Sequence, residues 1–247
     1  MGRVEDSRRN FVSEIPLARR SMPVRGVSSE RLRYLFFGSI FLTLFSVFIT
    51  LKLSSNENLL ISAQEKQLRS NISEDGLLLG HFPYPEVSKD NLVSVYKGLD
   101  VHIDTYRALV KMRNAAASEG ISLVALSGYR SIDLQRAIFY ENKSARNQTA
   151  IERAKVSAPP GYSEHSTGYA IDLGDATMRH TDFEVEFENT PAFLWLKSNA
   201  AKFHFVLSFP RGNSQGVSYE PWHWRFEGTV EALRQFQPAN ESLRKQL

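Results

Sequence analysis

From residue 80 onward the chain breaks into short apolar groups set between turn residues, and the spacing within each group predicts an element. Residues 104–119 place Tyr106, Leu109, Val110 and Met112 at helical spacing, and Gly120 stands where the helix should end. "ISLVALSGYRS" predicts a buried strand running into a tight turn at Gly128, and Ser131 with Asp133 suits the start of a helix over 132–141. "GYAIDLG" predicts a second short strand, and residues 191–202 a helix with Phe193, Leu194 and Leu196 on one side. "FHFVLSF" and "YEPWHWRF" predict further strands, the latter at an edge or with an irregular start because Pro221 cannot donate to a ladder. Residues 229–236 predict a closing helix. Helices and strands mixed without a βαβ repeat predict an α+β domain, its sheet mainly antiparallel and flanked by helices.

Before residue 80 the pattern changes. Tyr34–Leu51 is a run without a charge and with Phe, Leu and Ile on every face, about 27 Å long as a helix and so close to the thickness of a bilayer's hydrocarbon core. It predicts one transmembrane helix. A cleaved signal peptide is the competing reading, but its apolar core is usually shorter and no A-x-A-like site follows here. Residues 1–33 carry eight arginines against four acids, which predicts a cytoplasmic tail and a body on the far side of the membrane. "SRRNFV" at Ser7–Val12 is similar to the opening of a twin-arginine signal, yet lies far from the apolar run. The expected order is a basic tail (1–33), an anchor (34–51), a polar stalk (52–79), a globular domain (80–240) and a short tail (241–247).

Composition narrows the chemistry. An apolar fraction of 42% is enough for a core, and the absence of cysteine removes disulfides, thiolate metal sites and cysteine nucleophiles together. With the tail's eight of 30 Lys+Arg and four of 27 Asp+Glu set aside, 22 basic residues face 23 acidic ones. A nucleic-acid-binding body is therefore unsupported. Four N-x-S/T triplets, at Asn71, Asn142, Asn147 and Asn240, would matter only in a eukaryotic secretory protein.

Any metal must rest on His, Asp or Glu. Of the six histidines, His81, His102 and His180 have the bland reading of surface or hydrogen-bonded core residues. His165 lies in a loop entering the strand that carries Asp172, so backbone curvature can bring both to one cation, and His223 supplies a third donor. Two imidazoles and a carboxylate suit Zn²⁺ with a fourth position left open. Glu220, three residues before His223, is the natural proton acceptor for an attacking water. Arg130, in the turn after a buried strand, offers a planar fork suited to a carboxylate or to an oxygen gaining charge.

The blocks "SGYRSIDLQ", "SEHSTGYAIDLG" and "YEPWHW" follow in that order, and together they closely resemble the VanY-type D-alanyl-D-alanine carboxypeptidases, zinc peptidases that trim bacterial peptidoglycan stem peptides. The resemblance covers roughly Gly80 to Gly228. It implies a D-Ala-D-Ala peptidase/hedgehog-like fold, zinc on His165, Asp172 and His223, and Glu220 as catalytic base. It also implies that Arg130 orients or polarises the substrate, while Ser163, Tyr129 and Gln135 line the site and hold the terminal carboxylate. "NAAKFHFVLSFP" departs from the family in placing His204 where glycine is usual, which puts the local backbone in question. The activity so implied is removal of the terminal D-Ala from stem peptides. The alternatives are an L,D-carboxypeptidase on tetrapeptide stems, a crosslink-cleaving endopeptidase, and a non-catalytic, membrane-tethered wall-binding module.

Overall fold

The structure is a computed structural model, and the residues it describes are 52, 59–74 and 76–244. The expected span Tyr34–Leu51 and the basic tail lie outside them. Among the described residues no helix is long and apolar enough to cross a membrane.

The α+β architecture has a four-stranded antiparallel sheet at its centre. Its strands are β3 (Leu123–Ser127), β4 (Ala170–Asp175), β5 (Phe205–Leu207) and β6 (His223–Phe226), in the order β3-β4-β6-β5. β4 is interior and buried at every position, so its two carboxylates, Asp172 and Asp175, are buried with the apolar residues between and before them. A separate hairpin, β1 (Leu92–Tyr96) and β2 (Leu99–His102), turns on Gly98 at φ 85°.

The helices largely follow the predicted periods. Helix α1 covers residues 59–69, and α2 is Ile103–Ser118, burying Leu109, Met112 and Ala116. The His102 ring accepts from the Asp104 amide at its start. Helix α3 (Ile132–Ala145) is capped by Ser131, whose hydroxyl accepts from the Leu134 amide. After α4 (Ala150–Ala154) comes α5 (Pro191–Asn199), opened by a Thr190 cap with proline in its first turn. Together α2, α5, β4, β6 and α6 (Val230–Arg244) enclose a core that includes Leu109, Ile171, Leu196, Trp224 and Phe236.

Two elements lie outside the expected set, and two expectations need correction. The hairpin was not predicted because β1 has no buried position to mark one face, and α4, at five residues, is too short to show a helical period. Helix α6 continues through Pro238 to Arg244, past the expected end at residue 236 and into the expected tail. Beyond the proline Ala239 is fully buried, and Asn240 bonds both Arg225 and Glu227, so tertiary contacts carry the helix on. Part of the polar stretch expected as a stalk packs on the domain: Leu68 and Leu78 cluster with Phe139 and Tyr140, and Arg136 Nε meets Glu65 Oε1 at 2.6 Å.

His204 adopts the left-handed conformation (φ 63°, ψ 29°) that a glycine would take, at a cost of roughly 1–2 kcal/mol. Its carbonyl accepts the Glu227 amide at 2.8 Å, which holds the chain on the same course.

Candidate active site

The central ladder sets the site. Asp172 on β4 stands directly opposite His223 on β6 and, across the other edge, opposite Ser127 on β3. Opposed residues on neighbouring antiparallel strands lie close enough for their side chains to meet. His165 arrives from outside the sheet, on the 3₁₀ turn Glu164–Thr167 that leads into β4. That turn closes on Gly168 at φ 70°, where an added Cβ would lie 3.0 Å from the His102 amide nitrogen, so both conformation and space require glycine. Gly128 is needed for close approach: a Cβ there would sit 2.3 Å from the Asp100 carbonyl oxygen.

His165, Asp172 and His223 are all buried, and one ligand atom from each lies within 4.8 Å of the others. His165 Nε2 is 3.3 Å from Asp172 Oδ2, and His223 Nδ1 is 3.0 Å from Asp172 Oδ1. The far side of each ring is held. The Gly128 carbonyl lies 2.6 Å from His165 Nδ1, and Glu164 Oε2 lies 2.9 Å from His223 Nε2. Each imidazole can donate outward to oxygen and present its other nitrogen to a shared cation, the arrangement that fixes ligand histidines in metal sites. Donor types, convergence and anchoring all fit zinc.

The charges of the cluster are strongly coupled. Burial and the nearby Arg130 push the His165 pKa down to about 4, favouring the neutral ring. Burial opposes charge on His223 as well, but bonds to Asp172 and Glu164 outweigh it and raise the ring to about 10. Burial would also raise Asp172, yet the two histidines hold it well below the usual carboxylate range.

Glu220 is brought beside this cluster by a tight turn. The Glu220 carbonyl accepts the His223 amide at 3.1 Å, Pro221 supplies the turn's fixed φ, and Trp224 Nε1 donates to the Pro221 carbonyl at 3.0 Å. The irregular start expected of "YEPWHWRF" is this turn, and the strand begins only at His223. Glu220 Oε2 stands 4.0 Å from His223 Nδ1. Burial is the main cause that lifts its carboxyl to about 7, with Asp172 and Glu164 adding repulsion against the pull of His223 and Arg130. A carboxylate poised near neutrality is suited to exchanging protons.

These residues open onto a cavity of about 370 Å³, lined also by Arg130, Ser163, Phe183 and Trp222. Tyr129 and Gln135, expected in the lining, do not line it. The Tyr129 hydroxyl instead donates to Glu86 Oε1 at 2.6 Å. Gln135 is fully buried and donates through Nε2 to the Ala158 carbonyl at 2.6 Å and to Ser157 Oγ at 3.2 Å. It braces a wall of the cavity from behind, since Ser157 and Ala158 do line it.

Glu164 is the functional residue that sequence reasoning passed over. Besides His223 it accepts from Arg225 Nη1 at 2.9 Å, from Ser208 Oγ at 2.5 Å and from the Tyr84 hydroxyl at 3.4 Å. Burial alone would raise its carboxyl; Arg225, His223 and Ser208 together hold it down at about 2. Its position beside a candidate ligand was the one available signal.

An α+β sheet with a buried His/Asp/His cluster and an adjacent carboxylate in one cavity has the makings of a hydrolytic metal site. A family model for VanY, D-alanyl-D-alanine carboxypeptidase, matches residues 98–229, more than half of the chain. The chain belongs to this VanY carboxypeptidase family. It is 39% identical over 130 residues to the putative carboxypeptidase YodJ of Bacillus subtilis, covering 51% of this chain and 45% of that protein. The LdcB LD-carboxypeptidase structure superimposes with a TM-score of 0.55 at 30% identity, covering 67% of this chain and 80% of that one. A VanY D,D-pentapeptidase mutant solved in complex with Zn(II) gives a TM-score of 0.50 at 26% identity, covering 65% of this chain and 93% of that one. The chain spans about half the length of the curated relatives it matches.

Proposed function

We propose that this protein is a zinc-dependent D-alanyl-D-alanine carboxypeptidase that removes the terminal D-Ala from peptidoglycan stem peptides. The observation that carries it is the His165/Asp172/His223 cluster with Glu220 beside it in one cavity. His165 Nε2, an Asp172 carboxylate oxygen and His223 Nδ1 would hold the metal. Bound there, zinc supplies Lewis acidity toward the scissile carbonyl and the attacking water. Glu220 accepts the proton of that water and returns one to the departing amine nitrogen. Arg130, half-buried in the field of Asp172 and Glu220, offsets the negative charge that develops on the carbonyl oxygen. Ser163 lines the same cavity and is placed to contact the peptide.

The test is digestion of defined pentapeptide and tetrapeptide muropeptides, with product masses. Chelated protein should release no D-Ala, and added Zn²⁺ should restore release from the pentapeptide. His165→Ala and His223→Ala should each lower bound zinc, because each removes a donor. Full activity after thorough demetallation, or unchanged zinc in both variants, would refute the site. The likeness to an LD-carboxypeptidase supports the second reading, in which the tetrapeptide is cut in preference.

We also propose that Tyr34–Leu51 anchors the domain outside the cytoplasmic membrane, on the strength of its uncharged length and the arginine bias before it. Protease added to intact cells, with any outer membrane permeabilised, should digest the body and spare the tail. The reverse pattern would invert the orientation, and a mature protein beginning near Ser54 would replace the anchor with a signal peptide.

A further inference from the structure

One charge in the cavity wall is not used by the chemistry above. Arg153, on α4, is 7% exposed and lines the same cavity as Arg130. Among the described residues no carboxylate pairs with it, and its buried Nε–H finds no acceptor. The other buried arginine, Arg225, shows what a structural role looks like here: its guanidinium bonds Glu164, Glu227 and Asn240. Arg153 has none of this support.

Two more donors in the wall share its condition. Arg130 Nε and Gln215 Nε2 are buried without a partner, and Gln215 is 6% exposed. The buried side-chain atoms of the cavity lining that lack partners are therefore all N–H groups. Buried donors left unpaired destabilise a protein unless a ligand supplies the acceptor. The charges nearby point the same way. Burial depresses the Arg153 pKa, and Arg146 and Arg130 add repulsion with no carboxylate opposing them, whereas Arg130 lies in the field of Asp172 and Glu220.

We propose that Arg153, seconded by Gln215, forms an anion subsite that holds a carboxylate of the peptide substrate and so determines which peptides are accepted. A guanidinium fork matches a carboxylate with two parallel hydrogen bonds, which gives selection by geometry as well as by charge. Arg130 is then free to serve the reacting carbonyl. The inference rests on the carboxypeptidase reading. The carboxylate has two sources, the free C-terminus and an acidic residue within the peptide.

The experiment uses the zinc-loaded full chain and three peptides: one with both carboxylates, its C-terminal amide, and the free acid with its internal carboxylate amidated. Arg153→Gln should raise KM for the first peptide by roughly 10- to 100-fold with kcat little changed. Loss of that penalty on the C-terminal amide assigns Arg153 to the terminus; loss on the internal amide assigns it to the internal carboxylate. A KM change equal on all three peptides, or absent from all, overturns the proposal. Arg153→Lys keeps the charge without the fork and should show a smaller penalty of the same selectivity, which covers the case in which the glutamine variant fails to fold. Calorimetric binding of the same peptides to Glu220→Gln protein, with and without the Arg153 change, separates the two readings. If the parent chain cleaves nothing, the carboxypeptidase assignment fails, while the binding preference still decides the subsite.

Discussion

Glu220→Gln should leave zinc content and peptide affinity intact while turnover falls by roughly 10²- to 10⁴-fold, the range expected when a general base is lost. The amide keeps the shape of the carboxylate and its place in the turn before His223, but it cannot accept a proton. Its Oε2 contact with His223 is long, at 4.0 Å, so Glu220 is not needed to position the ring; Asp172 and Glu164 already do that. The pH profile supplies a second reading of the same variant. The base works only when ionised, and burial lifts its carboxyl to about 7. A cation at the neighbouring donors favours the ionised form, so the acid limb of kcat/KM should fall at or below that value. In Glu220→Gln this limb should vanish along with the activity. Near-normal turnover would remove Glu220 from the mechanism.

The second large effect is expected at Glu164. Glu164→Ala should cost about 3–5 kcal/mol of stability, because it strips a carboxylate from the fully buried Arg225 and from His223 at once. Glu164→Gln, closer in shape, should fold and bind zinc about 10- to 100-fold more weakly, the usual loss when a partner of a ligand histidine is changed. The pH dependence has a definite sign. The carboxyl is held at about 2, below its ordinary 4.5, so its contribution is fully present above 4.5 and is lost as pH falls through about 2. Urea melts of metal-free protein between neutrality and acid should show that loss in the parent chain and a flatter acid dependence in Glu164→Gln. Equal stability of Glu164→Ala and parent at neutral pH would mean that Arg225 is satisfied by Glu227 and Asn240 alone.

The contrast between Glu220 and Glu164 shows what the sequence discloses. Glu220 was legible because its chemical need was local: a carboxylate three residues before a candidate ligand. Glu164 sits even closer to one, yet an acid in a loop ordinarily faces water. Its burial depends on Arg225, Ser208 and Tyr84, each far away along the chain. The same holds for Arg153, which on a five-residue helix is indistinguishable from a solvated surface base. Tyr129 and Gln135 lie in the right block, but the directions of their side chains are set by Glu86 and by Ser157–Ala158, outside that block. The long helices and the β-branched or aromatic strands were readable from their periods. The β1–β2 hairpin was not, because Leu92–Tyr96 leaves no buried position to show one face.

The pairing of Asp172 with His223 has a use for anyone wishing to transplant this centre into an unrelated scaffold. The spacing of two of the three donors is supplied by the distance between adjacent strands, so no loop has to be designed to set it. The graft has one fragile degree of freedom, since sliding β6 by a single residue would bring Trp224 opposite Asp172 and turn His223 to the other face of the sheet. A working template would therefore carry the Arg225–Glu164 pair with it, since Glu164 ties two neighbouring residues of β6, His223 and Arg225, to the turn that bears His165.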